Sequence, residues 1–165
     1  DYQSSRLLFN GLRLDQGALG VEADLAETQQ LDFDDGNWVF RGNVVVEAEN
    51  AVLYCDEARL TFLNHQLTAA ELKGNTARFE QTTEEPERLN VGEGDVIFYQ
   101  LSDRTLQLTR NAMFSDGKNK VSGDLITYDL EAQHLKAGSG SSGPVKIIIE
   151  PPKDALREKS NKKKP

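Results

Sequence analysis

Four aspartates follow a small residue, at Ala23-Asp24, Cys55-Asp56, Gly94-Asp95 and Gly123-Asp124. A ladder of carboxylates is a pattern that could do chemistry, because carboxylate oxygens hold calcium and carboxyl pairs move protons. A calcium loop, however, gathers several acidic ligands close together and turns sharply on a glycine. These four stand 32, 39 and 29 residues apart. Asp and Asn side chains also bond nearby backbone amides and settle in tight turns. Equivalent corners of a repeating structure need that property at each recurrence, so the structural reading of the four is preferred to a metal or catalytic one.

The other reactive types assemble no better. Cys55 is the one cysteine, which excludes an internal disulfide. It takes the slot of Ala23, Gly94 and Gly123, and its neighbours Asp56 and Glu57 oppose a thiolate, so it reads as a small, semi-buried residue. His65 falls at an expected hairpin tip and His134 in a polar stretch before Leu135; two isolated histidines make no metal signature. Glu84-Glu85 is exposed in expectation, where a raised pKa is not. Ser141-Ser142-Gly143 has no strand-turn-helix around it and Gly92-Glu93-Gly94 opens no helix, so neither a nucleophile elbow nor a phosphate loop is present. Neither an enzyme nor a metal or cofactor centre is expected. A carbohydrate enzyme on a β-helix would need two acids facing one cleft about 5–10 Å apart.

The elements that carry these residues repeat. Each Asp is followed two and four residues later by Ala26/Thr28, Ala58/Leu60, Ile97/Tyr99 and Ile126/Tyr128, and Asn10, Asn43, Asn75 and Asn111 interleave with the aspartates. Asp24 to Asn43 and Asp56 to Asn75 both span 19 residues; Asn43 to Asp56 and Asn111 to Asp124 both span 13. Self-similarity at roughly 30–40 residues marks one supersecondary unit stacked on its copies. The unit is built of strands. Trp38–Arg41 and Val44–Glu47, joined at Gly42-Asn43, are β-branched and aromatic, and Asp34-Asp35-Gly36-Asn37 before them is a turn signal. Ala51–Cys55, Arg59–Phe62, Ala77–Glu80, Val96–Tyr99, Leu106–Thr109, Leu125–Tyr128 and Val145–Ile149 continue the series. Short runs spaced about 8–12 residues apart mark an all-β sandwich, barrel or stack. Hairpin tips are expected at Asn64-His65, Ser102-Asp103, Asp116-Gly117 and Glu131-Ala132. Gln81 to Asn90 reads as an exposed loop, Ala137 to Pro144 as a flexible turn, and Pro151-Pro152 as the end of the last strand. Asp24 to Gln30 has helical propensity but aligns with strands of the other repeats, so a strand is expected there. Residues 1–9 suggest a short turn, with the chain beginning mid-repeat at Asn10.

The bulk numbers fit one domain. The chain has 165 residues, 38% of them hydrophobic, and mean hydropathy is −0.56. No run approaches the roughly 18 apolar residues of a membrane helix. The chain opens at Asp1 with no charged-then-apolar leader, which leaves open that a signal or anchor was removed. Net charge is −8, but Lys153, Arg157, Lys159, Lys162, Lys163 and Lys164 against Asp154 and Glu158 make residues 153–165 a basic, solvated tail, and the body before it stands at −12. An acidic body excludes nucleic acid as a partner, since phosphate neutralisation supplies most of that affinity.

The phrases GVEADLAET, WVFRGNVVVEAENAVLYCDEARLTF, LKGNTARFEQ, GEGDVIFYQLSDRTLQLTRNAMF, KVSGDLITYDLEAQHLKAG and VKIIIEPP, in that order, resemble the OstA-like family of periplasmic lipopolysaccharide-transport proteins over about residues 17–152. The resemblance implies an all-β fold, a twisted antiparallel β-jellyroll open along one side with stacked strands, preceded by residues 1–16 as an N-terminal segment of the first repeat and followed by the 153–165 tail. It implies a non-enzymatic carrier whose apolar interior holds the lipid A acyl chains of lipopolysaccharide. It also implies terminal strands that pair end to end, with copies of the same chain, with an inner-membrane anchored component and with the N-terminal domain of an outer-membrane barrel. The groove candidates are Trp38, Phe40, Leu60, Phe62, Phe79, Ile97, Tyr99, Met113, Phe114, Ile126 and Tyr128, each also a core candidate, with Met113 chosen for its adaptability. The partner edge is the unusually apolar final strand, Val145, Ile147, Ile148 and Ile149. Two alternatives remain open: the membrane-anchored component of the same pathway, which shares the fold and which Leu12 to Asp24 also suits, and a ligand-free β-stack that polymerises end to end.

Overall fold

The computed structural model describes residues 7–16, 19–28, 35–48, 50–84, 87–138 and 146–149. They form one antiparallel meander: β1 (Leu7–Gln16), β2 (Leu19–Thr28), β3 (Asp35–Ala48), β4 (Ala51–Leu63), β5 (Gln66–Glu84), β6 (Glu87–Gln100), β7 (Thr105–Ser115) and β8 (Asn119–Asp129) pair in chain order. Two short strands, β9 (His134–Ala137) and β10 (Lys146–Ile149), share the outer edge of β8: β9 pairs Ile126 to Asp129, and β10 pairs Asn119 to Ser122. The described sheet therefore ends in β1 on one side and in this interrupted edge on the other.

The expected short strands are in fact the two halves of longer ones. Gly42-Asn43 does not turn between strands; it is a bulge inside β3, and Ala51–Cys55 and Arg59–Phe62 are one strand, β4. All the register shifts but one, at Thr61/Phe62 near the β4–β5 tip, fall on one line across the sheet. It passes one extra residue on β3 between Arg41 and Val44, two on β5 between Lys73 and Ala77, and one on β7 between Thr109 and Ala112. Opposite them stand Asp24, Asp56, Asp95 and Asp124. The recurring Asp and Asn residues thus mark a crease, because a bulge bends its strand and sharpens the twist. Asn43 and Asn111 take positive φ, 47° and 54°, which Asn tolerates better than most residues. Each donates its side-chain amide across the crease, to Asp24 Oδ2 at 2.9 Å and to Asp95 Oδ2 at 3.0 Å.

The crease also resets side-chain alternation. Strict period two would flip every residue beyond an inserted one to the wrong face. On β4 the buried set runs Ala51, Leu53, Cys55, then steps three to Ala58, Leu60, Phe62, which resets the phase; on β3, which carries the extra residue, it steps four, from Phe40 to Val44, and stays in phase. All eight positions that follow the aspartates at two and four residues are buried as a result. The two halves face one another. A Cβ on Gly92 of β6 would lie 3.0 Å from Leu108 Cδ1 across the interior, and the Phe114 and Tyr128 rings stand 4.6 Å apart.

The tips lie where expected, at Asn64-His65, Leu101–Arg104, Asp116–Lys118 and Leu130–Gln133. Asp116 and Asp129 each accept two backbone N–H bonds within their turns. Asp24 to Thr28 is strand, as the repeat required, and Leu7–Phe9 belong to β1 rather than to a turn, so the sheet begins inside the expected N-terminal segment. The loop reading of Gln81 to Asn90 is wrong: β5 and β6 stay paired as far as Glu84↔Glu87, and Gln81, Thr83 and Asn90 are buried. Their polarity concealed continued alternation. Val145, most of the Ala137–Pro144 turn, and the tail lie outside the described residues.

Candidate functional site

Between the layers lies a continuous apolar interior. Trp38 and Phe40 stack at 5.9 Å toward the β3 end; Phe79, Phe114 and Tyr128 cluster toward the β8 end; Leu60, Phe62, Ile97, Tyr99 and Ile126 fill the length between. All ten are buried. With strands about 4.8 Å apart, the run from β2 to β8 extends roughly 29 Å. Met113 is the exception. It alternates with the buried Ala112 and Phe114 and so takes the outer face, half-buried, opposite Glu93. Ile147, Ile148 and Ile149 belong to β10, whose backbone holds the sheet edge at β8.

Opposite the crease, the hairpin tips of the two layers frame a mouth. One cleft of about 240 Å³ is lined by Ala48, Ala51, Gln81 from one layer and Tyr99, Arg104, Leu130 and Gln133 from the other. A second, of about 260 Å³, lies between Arg88, Asn90, Phe114, Asp116 and the facing Tyr128, Gln133 and Leu135. Pre-formed ligand pockets hold roughly 300–1,000 Å³. Neither cleft reaches that range, so neither has room for a long chain while the layers stay together.

Three buried polar side chains tie the layers together there. Tyr128 Oη donates to Gln81 Oε1 at 3.0 Å and accepts from Asn90 Nδ2 at 3.1 Å, and Asn90 Nδ2 lies 3.5 Å from Gln81 Oε1. Burial pushes the Tyr128 hydroxyl pKa up, against the lowering effect of Asn90. Sequence reasoning took Tyr128 as apolar lining and missed Gln81 and Asn90. The signal was available: Gln81 and Thr83 continue the inward phase of Ala77 and Phe79, and Asn90 that of Gly92 and Gly94.

The outer faces are charged and internally paired. Arg41 bridges Glu57 at 2.9 Å and Glu27 at 3.0 Å; Arg78 bridges Glu80 at 2.8 Å and Glu93 at 3.0 Å. Both guanidinium pKa values rise, through the bonds to Glu57 and to Glu80 foremost. At the mouth Arg88 stands 3.6 Å from Asp116. Burial would raise the Asp116 carboxyl, but the N–H groups of Asn119 and Lys118, with Arg88, hold it below its usual value. Cys55 sits at the crease, its thiol pushed up to about 12 by burial and by Asp56. His65 and His134 are exposed on a tip and at the start of β9, far apart in the topology. The repeated aspartates serve the crease, and the described residues bring no three His, Cys, Asp or Glu side chains together.

Among the described residues, a creased antiparallel sheet with a packed apolar interior and a strand edge at each end makes an open β-jellyroll. The chain belongs to the family described as LptA/(LptD N-terminal domain) LPS transport protein, which matches residues 21–134. It is 27% identical over 129 residues to the lipopolysaccharide export system protein LptA of Haemophilus influenzae, across 76% of this chain and 74% of that protein. Its fold is similar to the crystal structure of LptH, the LptA-homologous periplasmic component of the lipopolysaccharide transport device of Pseudomonas aeruginosa. That likeness has a TM-score of 0.70 and 26% identity, and it covers 81% of this chain and 95% of the other.

Proposed function

We propose that this chain is a non-enzymatic periplasmic carrier that holds the acyl chains of lipopolysaccharide between its layers and joins its neighbours strand to strand. The observation that carries this reading is the roughly 29 Å apolar interior enclosed by one creased sheet whose two ends remain strand edges. About ten buried methylenes contribute roughly 8 kcal/mol. Parting the three hydrogen bonds at the mouth costs about 1 kcal/mol each. Lipid burial exceeds those three bonds, and the acyl chains also take the place of the apolar contacts that the layers lose on parting.

The edges β1 and β9/β10 suit strand addition, in which backbone groups supply affinity. The partners are further copies of this chain, an LptC-like inner-membrane protein and the N-terminal domain of an LptD-like outer-membrane barrel. The match to a family described by LptA and LptD, and coverage of 95% of LptH, favour the bridging role over the membrane-anchored one.

Photocrosslinking to lipopolysaccharide tests the proposal, with a photoreactive residue at 126, inside, and another at 84, on the exposed end of β5. A crosslink at 126 alone is expected. Absence of any crosslink in folded protein overturns the carrier reading and leaves a ligand-free polymer.

A further inference from the structure

We infer that Gln81, Asn90 and Tyr128 form a subsite for the acyl linkage of a bound amphiphile, its amide or ester carbonyls and neighbouring hydroxyls, at the point where chain gives way to head group. The inference rests on the carrier reading and gives it a location.

A side-chain polar trio in a mostly apolar interior, where the other buried polar residues are the threonines Thr28 and Thr83, needs a reason. Its members satisfy one another, yet replacing a whole buried polar set by apolar groups of the same shape is close to neutral or stabilising. Stability alone therefore gives no reason to keep it. Its position does. On the inner side Tyr128 touches Phe114 at 4.6 Å and Phe79 at 6.1 Å between ring centroids. On the outer side the trio lies between the two mouth clefts: Gln81 lines one, Asn90 and Tyr128 line the other, and Gln133 lines both. The interior thus changes from hydrocarbon to hydrogen-bonding groups within one residue layer, as an acylated amphiphile does at its linkage.

The chemistry matches in kind as well. Two carboxamides and a phenol are neutral and offer both donors and acceptors. They fit carbonyls and hydroxyls rather than a phosphate, which takes cations such as the Arg88 and Arg104 of the cleft rims. The trio bridges β5 and β6 of one layer to β8 of the other. When the layers part, its bonds are released where the linkage arrives, and a buried polar group left without partners is costly. A linkage carbonyl can accept from Tyr128 Oη and Asn90 Nδ2, and a neighbouring hydroxyl or amide N–H can donate to Gln81 Oε1; a plain alkyl chain does neither.

The test compares wild type with the isosteric set Gln81→Met, Asn90→Leu, Tyr128→Phe, alone and combined, after circular dichroism shows each folded. Binding is measured for lipopolysaccharide, for a diacyl glycerophospholipid and for an alkyl ether surfactant that lacks any carbonyl. In the combined variant, preference for lipopolysaccharide over the surfactant is expected to fall about tenfold, equivalent to about 1.4 kcal/mol. A parallel fall for the phospholipid assigns the subsite to acyl carbonyls of either source; a fall confined to lipopolysaccharide assigns it to that lipid. Unchanged preference, or equal loss of all three probes, overturns the subsite while lipid capture by wild type leaves the carrier reading standing. Failure of wild type to take up any probe removes the carrier reading itself.

Discussion

Replacing Gly42 by alanine should unfold the crease out of proportion to the single carbon added. Gly42 has φ +83°, a conformation that costs an L-residue about 1–2 kcal/mol. Its added Cβ would also lie 2.6 Å from Asp24 Oδ2 and 2.9 Å from Asp24 Cβ. Asp24 must then move and release the Asn43 amide, a bond worth about 0.5–1.5 kcal/mol. Gly117 separates the two effects. It has φ +95°, but a Cβ there meets nothing within 4 Å. Gly117→Ala should therefore cost about 1–2 kcal/mol and Gly42→Ala about 1.5–3.5 kcal/mol. Urea unfolding resolves the difference if midpoint and slope are both fitted, since an altered slope would signal a change in compactness rather than in stability. In an Asp24→Gly background, Gly42→Ala should fall back to the Gly117→Ala cost. Equal costs for the two alanine variants in the natural background would refute a close packing of Gly42 on Asp24, and with it the crease as an assembled device.

Other outcomes follow from the same geometry. With a thiol pKa of about 12, Cys55 is ionised in roughly one molecule in ten thousand at pH 8, so alkylation should be slow until denaturant is added. Because that pKa is raised above its ordinary value of 9.0, the folded state holds the proton more tightly, and stability should decline as pH climbs from about 9 toward about 12; Cys55→Ala should flatten that decline relative to wild type in melts across this range. Ile148→Pro removes an N–H from β10, which pairs with β8 at Lys120, and should lower the mass of end-to-end assemblies in light scattering; an unchanged mass would move the interface off this edge. Deleting 153–165 should leave the β-sheet circular dichroism spectrum and the melting point unaltered, since every strand of the described sheet lies before it. Lipopolysaccharide capture should change little between low and high salt, whereas capture led by phosphate–arginine contacts would fall steeply as screening grows.

The residues that repeat most visibly were legible for a reason different from the one their chemistry first suggests. Asp24 and Asp95 recur because Asn43 and Asn111 bond them at the crease, so the spacing that marked equivalent corners of a repeat falls on the fold line. The eight positions at the same offsets after the aspartates, read from the repeat as mostly apolar pairs, all face inward. Strand length did not, because Gly42-Asn43 carries the composition of a hairpin turn while serving as a bulge. The local signal is the same, and only the neighbours in the sheet decide between the two. Met113 was misplaced on chemical character when its register beside Ala112 and Phe114 would have put it outside. Gln81 and Asn90 were lost because polar residues near a proline and a run of glutamates look like a loop. Their phase, two residues from Phe79 and from Gly92, was the more reliable guide.

The charge distribution narrows how such a carrier can hold a phosphorylated lipid. The body before the tail carries −12, and Arg41 and Arg78 on the outer faces are each held between two glutamates. A cation already so paired would have to give up its carboxylates to take a phosphate, and like charges around it oppose the approach. The interior offers the opposite setting: no ionised side chain belongs to the buried cluster, and the bonded trio just inside its mouth is two amides and a phenol, with Arg88, Arg104 and Asp116 on the rims outside. Acyl chains enter that environment without charge to desolvate, while a phosphorylated head group left at the rim stays in water and keeps its counterions. Repulsion from the acidic faces then holds the head group outward, so the charge that seems wrong for the ligand fixes which end of it the protein can grip.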